Sequence, residues 1–305
     1  MLVITALAMV VLLGLMALGL DLGLVLLRKQ ELANAADAAA LAGVQELPAS
    51  AENARLRAIQ YGVGNGMITD QMSVSVSSDL AEVGVIVSET VDLFFAPVLG
   101  IRQATVSARA TARTGTVSGV MGVVPLSVEQ DDFVFGEKYY LKYGSPDLEL
   151  DGTTEPEEPI SGVRQGNFGA LALGGTGASN YLDKFMHGYR KMMRVGDIVE
   201  TETGNMAGPT ENGVKWRTEG SAALTCTIDN VTRACPQLVI VPVVDKLTKG
   251  GRGPVTVVGF AAFFLEGTDR KQSRSYVVGR FLRRVVDGEI GHAGDFGLQA
   301  YRLVE

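Results

Sequence analysis

From Met1 to Leu20 the chain carries no charged residue. The run MLVITALAMVVLLGLMALGL, wound as a helix, rises about 30 Å, the thickness of a bilayer's hydrocarbon core. A cleaved secretory signal would show a basic leader, a shorter apolar stretch and a small-residue cleavage site at its end, whereas Ala6-Leu7-Ala8 falls too early for that. A buried core helix is the other alternative, and such helices rarely stay uncharged over this length. The pattern therefore predicts a membrane segment. Past Asp21 helix formers dominate, with no proline or turn cluster before Pro48. A continuous helix over residues 2–46 would be roughly 65 Å long, twice what a bilayer needs, so its second half must project as a stalk or pack on a folded domain. Gly19 and Gly23, Ala36 and Ala40, and Ala35, Ala39 and Gly43 recur at four-residue spacing. Such rows let helix backbones approach closely, which points to packing against another helix; the alternative is a helix that is merely rich in alanine. Asp21, at the far end of the apolar span, should lie at the membrane interface or meet a donor or cation, because an unpaired carboxylate in hydrocarbon costs on the order of 2–3 kcal/mol.

The pattern changes after Pro48. Ser50 is a fitting N-cap for a helix over 51–63, closed by the glycines at 62, 64 and 66. Residues 72–78 and 82–89 alternate apolar and polar with period two, predicting antiparallel strands around a turn at Ser78-Asp79. Residues 90–100 are short, apolar and closed by Gly100, and are read as a helix interrupted near Pro97; residues 104–114 alternate again. The Thr/Ser/Gly stretch 114–119 marks the next boundary. Beyond it, strands are predicted at 121–128, 138–143, 168–173, 221–228, 237–244, 254–264, 275–285 and 296–304, with one helix at 179–192 bearing Leu182, Phe185, Met186 and Tyr189 on its core face.

Composition narrows the function classes. The chain has 305 residues with a formal net charge of −7, which argues against a nucleic-acid partner bound through a basic face. His187 and His292 are the only histidines and lie far apart, so a zinc site is not expected.

The run DLGLVLLRKQELANAADAAALAGVQELP, residues 21–48, resembles the signature of the TadE/TadG-like proteins of tight-adherence (Flp) pilus assembly. It carries the Asp-x-Gly of that family as Asp21 and Gly23, and the Gln-to-Gly run without interruption from Gln30 through Asp37, Ala38, Ala39, Ala40 and Leu41 to Gly43. A looser likeness continues to about residue 114, and Gly166-Asn167-Phe168-Gly169 and Gly204-Asn205-Met206 are similar to the carboxy-terminal part of some longer relatives. The resemblance implies a membrane anchor, helix packing with other pilin-like or pilus-assembly subunits, and an extracytoplasmic domain. There are two departures. Relatives have a short basic leader before the helix, where this sequence starts at Met1. Major pilin-type subunits carry a Glu near the start of the mature helix, where this chain has Thr5, which weakens a reading as the bulk fibre subunit and leaves major, minor or tip subunit open. Arg28 and Lys29 alone would place the C-terminal side in the cytoplasm; the resemblance implies the opposite side.

Few residues offer chemistry. Cys226 and Cys235 flank a segment read as a hairpin, and are either bridged in an oxidising compartment or two separate buried thiols. Gly174-Gly175-Thr176-Gly177 lacks the Gly-Lys-Ser/Thr of a phosphate loop, and no nucleophile elbow is present. Residues 129–158 hold ten acidic side chains against Lys138 and Lys142. Within them Asp147, Glu149, Asp151 and Glu158 take positions 1, 3, 5 and 12 of a calcium-loop pattern with Gly152 at position 6, although Glu149 is longer than usual and Pro156 interrupts it. The alternative is a solvated acidic loop.

Together these features predict an α+β chain: a transmembrane and stalk helix over 1–47, a small β-β-α-β pilin-like domain over 48–118, and a β-rich extracytoplasmic domain over 119–305. The expected role is a non-enzymatic, pseudopilin-like component of a Flp pilus or its secretion apparatus. It would be single-pass in a bacterial cell membrane or displayed on the surface or pilus, with no cofactor other than calcium at the acidic loop. Helix packing is assigned to Gly19, Asp21, Gly23, Ala35, Ala39 and Gly43. The alternative is an envelope protein whose outer domain binds a surface ligand or adheres without any fibre.

Overall fold

The computed structural model describes residues 2–47, 49–143, 163–203, 206–220, 226–228, 231, 234–247, 252–271 and 274–304. Two units divide it, one formed by Met1–Thr114 with Tyr301–Glu305 and the other by Gly115–Ala300. The fold class is α+β, with a long N-terminal helix and a β-rich C-terminal region.

In the first unit the helix α1 spans Leu2–Val44 without a break. The helix α2, Ala51–Gly64, starts where Ser50 accepts the Asn53 N–H on its hydroxyl at 3.1 Å, the capping bond expected of a serine before a helix. Two strands follow, β1 at Met72–Val76 and β2 at Glu82–Asp92, paired antiparallel with Val74 opposite Val85. β2 pairs in turn with β3, Gln103–Val120. Period-two alternation turns Val83, Val85 and Val87 inward, where they meet Ala35, Ala36, Ala39 and Ala40 of α1 and Ala54 and Ala58 of α2 in one apolar core. The helix expected over 90–100 is not formed. Val91 and Asp92 continue the β2 ladder opposite Ala104 and Gln103, and only Ala96–Leu99 turns, as a 3-10 helix that Gly100 ends in the left-handed region. Residues 114–119 are strand throughout, as part of β3.

The second unit is built on strands β4 (Leu126–Glu129), β5 (Lys138–Tyr143), β6 (Val163–Ala170), β9 (Leu238–Val244), β10 (Pro254–Lys271) and β11 (Arg274–Leu282). They pair in the order β11-β5-β6-β4-β9-β10, and β10 pairs back onto β11, so the six strands close on themselves. Closure removes exposed sheet edges, and the interior is filled by side chains that include Leu126, Phe168, Val241, Phe263, Leu265 and Phe281. Gly279 is required here, because a Cβ would collide with the Phe264 carbonyl and the Phe263 ring. Short strands β7 (Met193–Arg194), β8 (Ile198–Glu200), β12 (Arg284–Val286) and β13 (Glu289–Ile290) also belong to this unit, as do the first three residues of the strand β14 (Leu298–Val304). The segment predicted as one strand over 275–285 is thus divided between β11 and β12, and the strand expected at 121–128 is shorter and later, at β4.

The helix α3 covers Ala178–His187, stopping earlier than the predicted 192 because Gly188 takes φ +76°. A helix the sequence did not announce, α4 at Ala207–Glu219, packs on it. Tyr181 and Thr210 share a hydroxyl hydrogen bond of 2.9 Å. Arg217, buried in the last turn of α4, donates to the carbonyls of Phe185 and Pro236, both at 2.7 Å, tying α4 to α3 and to the segment after Cys235. Burial lowers the pKa of this guanidinium to about 10.

Cys226 and Cys235 are disulfide-bonded, their Cα atoms 5.7 Å apart. Most of the strand expected at 221–228 lies outside the described residues. Closing a loop with a sequence separation of 9 removes denatured-chain entropy worth about 2–3 kcal/mol. The double variant Cys226→Ala/Cys235→Ala is therefore expected to lower the stability of this unit by about that much, read as an earlier midpoint in denaturant titration of the full chain in detergent.

Candidate functional site

The candidate site is the membrane-proximal part of the first unit, and it is built around α1. This helix is long and apolar enough to cross a membrane, and nearly all of its most apolar window is bare of protein. Val10, Leu12, Leu15, Met16 and Leu20 are all more than half exposed, which in water would be an untenable stretch of apolar surface. Among the apolar side chains of α1, full burial begins at Leu32, and from there Ala35, Ala36, Ala39 and Ala40 face α2 and β2. One helix therefore serves two solvents: lipid on its first half and a protein core on its second. Its small residues divide in the same way. A Cβ on Gly43 would sit 2.8 Å from the Ala54 carbonyl oxygen and 3.0 Å from the Ala58 Cβ, so the row of Ala35, Ala39 and Gly43 is the seam between α1 and the chain's own α2. Gly19 and Gly23 have no protein atom within 4 Å of a built Cβ and stay open to a further helix.

Between the two halves sits Asp21. Its carboxylate accepts three backbone N–H groups, from Phe94 at 2.9 Å and from Phe95 at 2.9 Å and Ala96 at 2.6 Å. These donors open the short 3-10 turn Ala96–Leu99, and turn N-termini leave amides without intrahelical partners, which a carboxylate satisfies well. Asp21 is itself buried by the contact. Two turns further on, Arg28 bonds Glu89 at 2.7 and 3.1 Å and Glu31 at 2.5 Å, fastening α1 to β2 where the first cations of the chain appear. The sequence showed that Asp21 needs a partner, but the partner lies 73 to 75 residues away and consists of main chain.

The remaining candidates stand apart from this junction. Asp147, Glu149, Asp151 and Glu158 lie outside the described residues, as do Gly204 and Asn205. Among the described residues no group of three or more His, Cys, Asp or Glu side chains is placed to hold a metal. In the second unit the Gly174–Gly177 loop is closed to an anion, since Glu202 already accepts the Gly177 N–H at 2.8 Å and would repel a phosphate. That loop borders an open cavity of about 460 Å³ lined by Leu173, Tyr189, Asp197 and Arg252. His187 is hydrogen-bonded to Asp183 at 3.1 Å and stands edge-on to Trp216.

No curated protein and no solved structure matches the chain. The apolar helix and the family likeness coincide on the same segment: residues 1–46, which contain all of α1, match the model of the Tad family of TadE/G-like Flp pilus-assembly proteins.

Proposed function

We propose that this protein is a membrane-anchored, pseudopilin-like structural component of a tight-adherence pilus or of its assembly apparatus, with no catalytic step of its own. The observation that carries the reading is the coincidence just described, in which the family match falls on a helix whose first half has lipid-like requirements and whose second half is the core of a small domain. The helix would hold the subunit in the membrane before assembly and afterwards pack among other helices, with Gly19 and Gly23 as the open small positions. The second unit is placed outside the cytoplasm in this reading. The Cys226–Cys235 disulfide supports that placement, because such bonds persist in oxidising compartments.

A second reading keeps the anchor and drops the fibre: an envelope protein whose closed β-structure binds a surface ligand, favoured by the cavity beside Arg252. Fractionation of cells carrying the tagged full chain separates the two. The pilus reading expects the protein in membranes and in sheared surface fibres, co-isolating with pilin subunits. Recovery from membranes alone, with pili assembled normally in a deletion strain, would favour the ligand-binding reading, and recovery from the soluble cytoplasm would overturn both.

A further inference from the structure

We infer that the loop Leu93–Ile101 is a second membrane contact, an apolar collar seated in the interfacial layer of the bilayer beside the exit point of α1. The inference rests on the membrane reading of α1 and extends it to a part of the chain 70 residues and more downstream.

The loop reads Leu-Phe-Phe-Ala-Pro-Val-Leu-Gly-Ile, with no charged or hydrogen-bonding side chain between Asp92 and Arg102. Such a stretch at the end of a β-hairpin would ordinarily fold its side chains into the core or carry turn-forming polar residues. Here only Ala96 is buried, while Phe94 is 78 % exposed, Val98 90 %, Leu99 64 % and Ile101 54 %. Five of the nine residues thus direct large apolar side chains away from the protein, counting Phe95 at 44 %. Scattered exposed apolar residues are common, but a contiguous uncharged set of this size marks a surface that meets something apolar.

Its position says what that is. Asp21 closes the uncharged run of α1, and its carboxylate holds the loop through the amides of Phe94, Phe95 and Ala96, so the loop is fixed at the level where that uncharged run ends. The apolar surface of α1 also does not stop at Asp21. Leu22, Leu26 and Leu27 are all more than half exposed, and the first cation is Arg28. Residues 2–27 as a helix measure roughly 39 Å against a hydrocarbon core of about 30 Å. The excess belongs to the interfacial layer, and the loop lies beside this excess. Above it the charged groups gather: Arg28, Glu31 and Glu89 in one cluster, and Asp92 bonded to Gln103 at 2.7 Å. Apolar side chains below, ions above, and a buried carboxylate that accepts three main-chain N–H groups is the arrangement an interface-seated loop requires. The loop needs its backbone amides satisfied to enter that layer, and Asp21 satisfies three of them.

The test uses the full chain with single introduced cysteines carrying an environment-sensitive fluorophore, reconstituted in phosphatidylcholine/phosphatidylglycerol vesicles. Both native cysteines are in the disulfide, so each added thiol is labelled alone. Three positions suffice. Leu12→Cys reports the span. Val98→Cys reports the loop, and as the most exposed of its residues it tolerates the change. Asp79→Cys lies in the turn at the other end of β2, a strand of 11 residues, and so stands roughly 35 Å away. The expected result is blue-shifted emission at Val98, quenched several-fold more strongly by lipid bearing a nitroxide near the headgroup than at Asp79, and shielded from aqueous iodide. A water-like Val98 probe alongside a lipid-quenched Leu12 probe would overturn the collar and leave the membrane span standing. A Val98 probe shielded from iodide yet unquenched by lipid would overturn it in favour of a contact with a second copy. A Leu12 probe that is not quenched by lipid bearing the nitroxide deep in its acyl chain would remove the membrane reading itself, and the collar with it.

Discussion

Asp21→Ala should leave the chain in the membrane and free the turn at Phe94–Ala96. The span of α1 keeps every apolar residue, and it loses a carboxylate, so insertion is if anything favoured. What is lost is the acceptor for three amides, none of which has another partner within the short turn that they open. Hydrogen bonds to an ionised acceptor are among the stronger ones, so each of these amides should exchange with deuterated solvent about tenfold faster or more in the variant. The measurement is hydrogen exchange read by mass spectrometry on peptides covering residues 90–102 of the reconstituted protein. Peptides from the β1–β2 hairpin serve as an internal reference and should not change. Asp21→Asn is the informative companion: its amide keeps one oxygen acceptor but turns an NH2 group toward the remaining donors, so protection should be partly lost. Unchanged exchange in Asp21→Ala would mean that the carboxylate does not hold the turn.

The separation between what could and could not be read from sequence follows the range of the interactions. Local devices were legible. The uncharged run of α1, the Ser50 cap of α2 and the alternation of β1 and β2 each depend on residues a few positions apart, and each is present in the structure. Long-range choices were not. The stretch Thr90–Gly100 is apolar enough to suggest a helix, but Val91 and Asp92 gain ladder partners in Ala104 and Gln103 that no local pattern could announce. The helix α4 was hidden because Gly208, Pro209 and Gly213 all lower helix propensity. Pro209 is harmless in the first turn, where its missing N–H would be unpaired anyway. Gly213 is there because a Cβ would run into the Phe185 ring, so the residue that conceals the helix in sequence is the one that lets α3 and α4 meet. Closure of the second unit depends on β10 and β11 pairing with β9 and β5 at once, which alternation alone does not specify.

The same distinction between lipid-facing and protein-facing small residues on α1 leads to the largest stability effect. Gly43→Leu should unfold the first unit or nearly so, whereas Gly19→Leu and Gly23→Leu should leave its folding unchanged. At Gly43 even one methyl group would lie 2.8 Å from the Ala54 carbonyl, 3.0 Å from the Ala58 Cβ and 3.2 Å from a Val83 methyl, and the first of these is main chain that cannot rotate away. Ala54, Ala58 and Val83 are fully buried, so no neighbouring space can take the displaced atoms. Forcing a side chain into a filled core costs about 1–3 kcal/mol where side chains can adjust, and the upper end or beyond is expected where helix α2 itself must move. Ala39→Leu belongs in the same class, since Ala39 has no exposed surface and faces the same core. A failure of either variant to enter fibres would therefore report a broken subunit. At Gly19 and Gly23, by contrast, an added Cβ meets no neighbouring atom within 4 Å, so the side chain grows outward from the helix. Protease resistance of the first unit in detergent, measured for all four variants beside their recovery in sheared fibres, separates these cases. Lost resistance at 39 and 43 with full resistance at 19 and 23 is the expected pattern. Given that pattern, a fibre defect in Gly19→Leu or Gly23→Leu, whose first unit stays folded, would locate the contact between subunits on the lipid-facing half of the helix. Full resistance of Gly43→Leu would show instead that α1 and α2 are not in the close contact that Gly43 permits.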